Sequence, residues 1–260
     1  MQRTLAPLGR RTTSVVERRQ IGAYTVLAVA DATGPSPDPG QFYMLTAAER
    51  WGGGEDERPF LPRAFSVLRA HDDGTLEFLL EDVGPGTHRL CELGPGDELL
   101  LLGPLGNGFT PPGDSRRPVL VGGGVGIAPL AALQDRLGDA PALVGFRDEP
   151  HAPGAALLRA DRVATDDGSV GHQGRVTELL ADELDGGEPA VVYACGPPPM
   201  LEAVRLLCAE RGVPAQLAME SGMACGFGAC FGCVVPTREG YVRLCVDGPV
   251  VAAEALETAL

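Results

Sequence analysis

Four cysteines near the end of the chain have a spacing that could hold an iron–sulfur cluster. They follow the pattern C-x4-C-x2-C-x11-C and are Cys225, Cys230, Cys233 and Cys245. Plant-type [2Fe–2S] clusters are held by thiolates in the order C-x4-C-x2-C…C. A loop that folds around two irons needs residues free to adopt positive φ, which Gly226, Gly228 and Gly232 provide. The pattern predicts a [2Fe–2S] site; the alternative is a four-cysteine zinc site, which more often pairs two short knuckles.

Two further segments have the composition of a nucleotide-binding crevice. The first reads Val121-Gly-Gly-Gly-Val-Gly-Ile-Ala-Pro129 and joins an apolar run to a helical pattern, so its backbone could approach a phosphate. The second reads Tyr193-Ala-Cys-Gly-Pro-Pro-Pro-Met200 and has the same placement. Ligands of open parallel sheets lie outside the carboxyl ends of the strands, so both turns would face one crevice. Cys195 would then place a thiol against a nicotinamide ring; without the first motif it would be read as a buried core thiol.

A third segment could bind a phosphorylated aromatic cofactor. Arg63-Ala-Phe-Ser66 places an arginine, an aromatic ring and a hydroxyl on one strand, and a guanidinium can bind a phosphate through two hydrogen bonds. About 20 residues later, Gly84-Pro-Gly-Thr-His-Arg-Leu90 forms a glycine turn into a short helix. Taken singly, each segment is more typical of an ordinary surface strand or hairpin.

The elements that must position these residues fall into three predicted parts. Up to Phe109, short apolar runs are separated by turn residues, which favours a small antiparallel β-barrel. From there, strands alternate with helical patterns, which predicts a parallel α/β sheet of the Rossmann type. The predicted domains are a barrel over residues 1–110, of which 1–13 form a flexible arm, an α/β domain over 111–217, and a small cluster domain over 218–260.

Composition excludes several function classes. The 260 residues carry 35 acidic and 21 basic side chains, for a formal net charge of -14, which disfavours a nucleic-acid partner. Every basic residue is arginine, so chemistry that requires lysine is excluded. No apolar stretch is long enough to span a membrane. The seven cysteines are an odd, clustered set that fits a reducing cytoplasm better than a secreted disulfide framework.

Taken in order, these motifs resemble the ferredoxin reductase family of flavoproteins that carry a C-terminal iron–sulfur extension. Within that family, Met223-Ala-Cys-Gly-Phe-Gly-Ala-Cys-Phe-Gly-Cys233 and Cys245-Val-Asp-Gly-Pro-Val are similar to the electron-transfer subunits of the heteromeric, NAD-dependent dihydroorotate dehydrogenases. The resemblance covers the chain from about Ser14 to Val251. The cysteine segment is the specific part, whereas the other motifs belong to the wider superfamily.

The resemblance implies a role for each motif residue. The FAD site would include Arg63 at the phosphates, Phe65 and Ser66 beside the isoalloxazine, and Ala64 where the family usually has proline. Its other members would be Leu79, Leu80 and Glu81 on an adjoining strand and Gly86 and Thr87 at the pyrophosphate. The NAD site would comprise Gly123, Gly124, Gly126, Cys195 and Gly196, with Cys195 near the nicotinamide. The four cysteines would bind the [2Fe–2S] cluster. Arg147 could meet the 2′-phosphate of NADP, but Asp148 beside it would repel that group, which favours NAD.

The resemblance also implies a reaction and a partner. Electrons from dihydroorotate would leave the FMN of a separate catalytic subunit and reach NAD+ by way of the cluster and FAD, in the synthesis of UMP. The expected assembly is a heterotetramer with two of each chain. One alternative keeps the cofactors but makes the chain the small subunit of an NAD(P)H:ferredoxin oxidoreductase, a sulfite reductase or a hydrogenase module. Another is a zinc-stabilised regulatory protein without enzymatic activity.

Overall fold

The first part of the chain is a closed antiparallel barrel. The computed structural model describes residues 9–53, 58–113 and 115–260. Six strands close in the order β1-β2-β5-β4-β3-β6, and helix α1 follows β5. Their bounds are β1 Arg11–Ile21, β2 Tyr24–Ala30, β3 Phe42–Ala47, β4 Arg63–Ala70, β5 Thr75–Glu81, α1 Pro85–Cys91 and β6 Glu98–Leu105.

Both faces of several barrel strands are buried, which explains their continuous apolar runs. Successive side chains of a strand point to opposite faces. In β2, Leu27 and Val29 fill the barrel interior, whereas Tyr24 and Val26 join a second core that lies against the α/β part. The barrel is therefore packed against its neighbour over a broad apolar surface.

The second part is a parallel sheet flanked by helices. Its strand order is β10-β9-β8-β7-β11-β12, all pairs being parallel. The strands are β7 Arg117–Gly123, β8 Ala142–Phe146, β9 Arg162–Thr165, β10 His172–Gln173, β11 Ala190–Cys195 and β12 Ala215–Ala218. The helices are α2 Ile127–Leu137, α3 Val176–Leu184 and α4 Pro198–Arg211. Short 3-10 turns cover Gly124–Gly126 and Ala152–Leu157.

The last part of the chain is bound into both of the others. It contains the hairpin β13 Val234–Thr237 and β14 Gly240–Arg243, the strand β15 Val250–Ala252 and a 3-10 turn over Ala253–Ala255. Strand β15 pairs antiparallel with β12 and becomes the seventh strand of the α/β sheet. One apolar core includes Met44 of the barrel, Val121 of the sheet and Leu244 of the last part. The cysteine segment therefore has a fixed place between the barrel and the sheet.

The predicted fold class is confirmed: a six-stranded barrel, a parallel α/β sheet and a small cysteine-containing segment. The flexible arm predicted for residues 1–13 differs from the structure at its end, because Arg11, Thr12 and Thr13 begin β1 and pair with β6. Residues 1–8 of the predicted arm lie outside the described residues. The predicted boundary at residue 217 cuts through β12, and β15 returns to the same sheet. Among the helices of the described residues, none combines the length and the apolar character that crossing a membrane requires.

Candidate functional site

All three parts of the chain line one cavity of about 700 Å³. This volume is in the range of cofactor and ligand pockets. The barrel contributes the strand ends around Phe65 and Leu79, the sheet contributes the turns at Gly124 and Cys195, and the last part contributes a segment from Met219 to Ala224. The structure thus brings the predicted flavin and nucleotide motifs to one place.

The predicted flavin strand lies on the barrel side of the cavity. Arg63, Ala64, Phe65 and Ser66 all belong to β4 and all line the cavity wall. The Arg63 guanidinium lies 5.8 Å from the ring centroid of Trp51 and donates a 2.7 Å hydrogen bond to the Leu61 carbonyl. These contacts hold the cation at the rim of the cavity, where a phosphate could reach its remaining donors.

The neighbouring strand and turn place their predicted residues differently. Leu79 and Glu81 line the cavity, but Leu80 points to the opposite face of β5 and is fully buried in the barrel core. Gly86 packs directly against Arg63: an added Cβ would lie 2.6 Å from the guanidinium carbon. The Thr87 hydroxyl accepts hydrogen bonds from the backbone N–H groups of residues 83 and 84, so it stabilises the turn as well as lining the cavity.

The glycine turn and the Cys195 turn lie side by side because β7 and β11 are neighbours in the sheet. Gly123, Gly124 and Gly126 line the cavity together with Cys195 and Gly196. The two turns are in backbone contact: a Cβ at Gly126 would lie 2.5 Å from the Cys195 carbonyl carbon and 2.6 Å from the Gly196 nitrogen. Gly126 is therefore required for this close approach, whereas Gly124, at φ 54°, has open space around its Cα.

The Cys195 thiol is held in its neutral form. Burial, with a smaller contribution from the charge of Glu220, raises the pKa of Cys195 to about 12. Burial also raises the pKa of the Glu220 carboxyl group, which lines the same cavity. A neutral sulfur is a soft, polarizable contact suited to an aromatic ring.

Backbone N–H groups contact the sulfurs of the cysteine loop. The Gly232 N–H points at Cys230 Sγ, at 3.5 Å. The Cys245 backbone N–H also points at Cys233 Sγ, at 3.5 Å. Burial opposes ionisation of Cys225, but backbone N–H groups of Cys230, Phe227 and Ala229 and the Cys230 thiol lower its pKa to about 6. The loop thus stabilises a thiolate at Cys225, the form that binds metal, whereas burial raises the pKa of Cys245 to about 12.

This donor set fits a two-iron cluster. A [2Fe–2S] cluster takes four thiolates, two on each iron, and the loop supplies four cysteines in the order that such clusters use. At Gly226, with φ 78°, an added Cβ would lie 2.5 Å from Met44 Cγ, so this glycine permits the loop to pack on the barrel.

Three aromatic side chains in the last part of the chain are exposed, two in the cysteine loop and one on β14. Phe227, Phe231 and Tyr241 are 49%, 64% and 79% exposed, and Cys230 is the exposed member of the four cysteines. Phe231 has a φ of 59°, a left-handed conformation that side-chain-bearing residues rarely adopt. Such strain is common where a functional loop is held in one shape.

A polar cluster around the buried His151 joins the barrel to the α/β part and was not foreseen from the sequence. Arg147 and His151 of the α/β part both contact the Glu81 carboxylate of the barrel, and His151 also contacts Asp148. The ring of Tyr24 lies edge-on to His151, with centroids 5.4 Å apart. Arg147, the residue considered for a 2′-phosphate, is thus paired with the Glu81 carboxylate across the boundary between the two parts.

The segment after β12 was also missed as part of the cavity. Glu220, Ser221, Gly222, Met223 and Ala224 all line it. The signal was available in outline: β12 is parallel to β11, with Ala218 opposite Cys195, so the chain must leave the sheet at the same edge. This signal could be used only once β12 was recognised as a strand, and its four residues are too few to be recognised from the sequence.

Residues 220–257 match the family model of the iron–sulfur cluster binding domain of dihydroorotate dehydrogenase B. Over the length of the chain, the relatives include the electron transfer subunit of dihydroorotate dehydrogenase B (NAD(+)) of Clostridium acetobutylicum. That protein is 37% identical over 84% of this chain and 85% of its own length. The subunit of the same name from Geobacillus kaustophilus is 37% identical over 95% of this chain and 98% of its own.

Solved structures with the same arrangement of barrel and sheet include a chain of the NADH-dependent reduced ferredoxin-NADP oxidoreductase. It is 26% identical, has a TM-score of 0.79, and the match covers 95% of this chain and 90% of that one. The ferredoxin reductase of carbazole 1,9a-dioxygenase is 24% identical, with a TM-score of 0.65 over 79% of this chain and 66% of its own, and supports the fold alone.

Proposed function

The chain belongs to the family of electron transfer subunits of dihydroorotate dehydrogenase B (NAD(+)), and from this premise we propose how its residues serve that activity. The proposed activity is transfer of electrons from a dihydroorotate-oxidising catalytic subunit to NAD+, with a [2Fe–2S] cluster and FAD as the resident cofactors. When bound, the cluster supplies one-electron steps and the flavin couples them to hydride exchange with NAD.

The observation that carries the proposal is the continuity between the cavity and the cysteine loop. Met223 and Ala224 line the cavity, and the next residue in the chain is Cys225, the first of the four cysteines. One cavity therefore adjoins the strand proposed for flavin, the turns proposed for NAD and the loop proposed for the cluster. An electron carrier that joins a nicotinamide to a one-electron centre requires this adjacency.

For FAD, we assign the phosphates to Arg63 and the ring to the wall formed by Phe65, Ser66 and Leu79. The rim position of the guanidinium and the apolar character of the wall support this assignment. Gly86 supports it indirectly, because its missing side chain leaves room for Arg63. The Leu80 side chain serves the barrel core, so in this proposal only its backbone borders the cavity.

For NAD, we assign the phosphates to the glycine turn and the nicotinamide to Cys195. A neutral thiol beside the ring adds no charge to the path of a hydride. The pairing of Arg147 with Glu81 and the carboxylate of Asp148 next to it disfavour a 2′-phosphate, which supports NAD over NADP.

For the partner, we propose an FMN-containing catalytic subunit in a heterotetramer of two chains of each kind. The exposed side chains of Phe227 and Phe231 in the cysteine loop and Tyr241 on β14 support this contact, because aromatic residues are enriched at protein interfaces. We place the complex in the cytoplasm, which the seven free thiols support.

The test begins with the isolated chain purified without oxygen. We expect FAD and about two irons per chain, with the visible absorption of both. Co-expression with an FMN-containing catalytic subunit should yield a complex that reduces NAD+ with dihydroorotate. A colourless chain that contains zinc would refute the cofactor assignment, and a coloured chain that gives no such complex would refute the partner.

The second candidate keeps the cofactors and changes the partner to a ferredoxin-linked oxidoreductase. The TM-score of 0.79 to a chain of the ferredoxin-NADP oxidoreductase structure favours it. Sequence identity argues against this candidate. It is 37% to the dihydroorotate dehydrogenase subunit of Geobacillus kaustophilus but 26% to the ferredoxin-NADP oxidoreductase chain, at the same coverage of this chain. Reduction of ferredoxin, but not of NAD+ by dihydroorotate, would reverse this ranking.

A further inference from the structure

Arg243 lies against the cysteine loop without being part of it. It is the last residue of β14 and lies two positions before Cys245. Its side chain is 28% exposed and turns toward the loop between the first two cysteines. There, Arg243 Nη1 donates to the Gly228 carbonyl at 3.3 Å, and the guanidinium lies 5.6 Å from the ring centroid of Phe231.

Two features show that the loop is shaped around this guanidinium. A Cβ at Gly228 would lie 3.2 Å from Arg243 Nη1 and 2.7 Å from Val246, and this glycine has a φ of 85°. On the opposite side, Phe231 adopts its left-handed backbone conformation with its ring against the same cation. Arg243 therefore contacts both the segment between Cys225 and Cys230 and the segment after Cys230.

The electrostatics of the loop give this contact a chemical consequence. Four thiolates around two irons gain one negative charge when one electron is added, with no bond formed or broken. A fixed positive charge close to the loop stabilises the more negative state. The neighbouring carboxylate of Asp247, with Oδ2 3.5 Å from Arg243 Nε, acts in the opposite sense.

We propose that Arg243 sets the reduction potential of the cluster held by the four cysteines, by stabilising its reduced state. This inference rests on the proposed function, because it requires the cluster to be present. Arg243 would then influence the cluster without binding the metal and without being part of the cysteine pattern. The charge, rather than the shape, of the side chain is the property that matters.

The experiment is a redox titration of the chain with dithionite as the electron donor, followed by the paramagnetic signal of the reduced cluster. The variants are Arg243→Gln, Arg243→Lys and Asp247→Asn. At a fixed ambient potential, Arg243→Gln should lower the ratio of reduced to oxidised cluster about threefold to tenfold, as expected for a partly screened charge. A tenfold change corresponds to about 59 mV. Arg243→Lys should stay near the wild type, and Asp247→Asn should shift the ratio upward.

The matched control is Arg238→Gln. Arg238 lies in the same hairpin region, but its Nε donates to the Glu254 carbonyl and not to the cysteine loop. The Arg238→Gln variant should therefore leave the reduction potential of the cluster unchanged. If Arg243→Gln and Arg243→Lys lose iron equally while the remaining cluster keeps the wild-type potential, Arg243 is structural and the inference is overturned. If the wild-type chain holds no iron at all, the proposed function itself fails.

Discussion

The contact between the two cavity turns predicts that Gly126 and Gly124 differ in their tolerance of a side chain. In Gly126→Ala, the new methyl group would lie 2.5 Å from the Cys195 carbonyl carbon and 2.6 Å from the Gly196 nitrogen. Ordinary carbon contacts begin near 3.5 Å, so the backbones must separate by about 1 Å. Overpacking of this kind costs about 2–3 kcal/mol. We therefore expect the melting temperature to fall by roughly 4–12 °C.

The control is Gly124→Ala, because an added methyl group there meets no close neighbour. Its Cα has a φ of 54° and its nearest neighbour to an added Cβ is the Tyr24 hydroxyl at 4.0 Å. The cost is then the left-handed conformation alone, about 1 kcal/mol. Both changes restrict the unfolded chain equally, so their difference reports the folded state. Thermal unfolding followed by circular dichroism measures both; an equal or larger loss in Gly124→Ala would refute the packing role of Gly126.

Three further predictions follow from other contacts. Cys230→Ser should lower the iron content and abolish NAD+ reduction by dihydroorotate in the complex. FAD should stay bound, and the partner should still oxidise dihydroorotate. Retention of iron by this variant would refute the role of Cys230 as a ligand. The hydrogen bond from Arg205 is the main reason that the pKa of Glu202 is lowered to about 2. The ionised carboxylate therefore stabilises the folded state above its unfolded pKa near 4.5, and this contribution is lost as the pH falls toward 2. Glu202→Gln should therefore lower the urea midpoint at pH 7, and the deficit should shrink toward pH 3; a pH-independent deficit would contradict this origin. His151→Ala should lower the free energy of unfolding by about 2–4 kcal/mol, because it empties a buried site between two carboxylates and an aromatic ring. The control His172→Ala, at an exposed histidine, should change it by less than about 0.5 kcal/mol. Equal effects of the two variants in urea unfolding would refute the stabilising role of the His151 cluster.

Local patterns predicted the parts of the fold that repeat a simple period. Barrel strands such as β2 and β5 were visible as short apolar runs between turns, and α2 as a helical repeat after the glycine turn. The alternation of strands and helices predicted the parallel sheet, and the rule for the carboxyl ends of parallel strands predicted that Gly124 and Cys195 lie at one edge. These inferences need only the geometry of single elements and their order.

What the sequence did not reveal depends on contacts between distant segments. The side of β5 on which Leu80 lies is an exception, because Leu80 shares a face with Leu76 and Phe78, and the period-2 alternation of the strand already indicates that this face is the barrel core. The cluster of Glu81 and His151 joins residues 70 positions apart, and no local pattern indicates such a pair. Strand β15 is three residues long, so its place beside β12 is decided by tertiary packing rather than by its own propensity.

The place of β15 has a consequence for anyone who wishes to transplant the iron-binding region. Because this strand completes the neighbouring sheet, a cut after residue 217 would strip a hydrogen-bonding partner from β12 and remove the Met219 to Ala224 wall of the cavity. We expect such a truncated chain to expose an unpaired sheet edge and to self-associate. The cysteine-containing region is therefore part of the α/β sheet, and a chimera that carries it into another protein would also need strand β12.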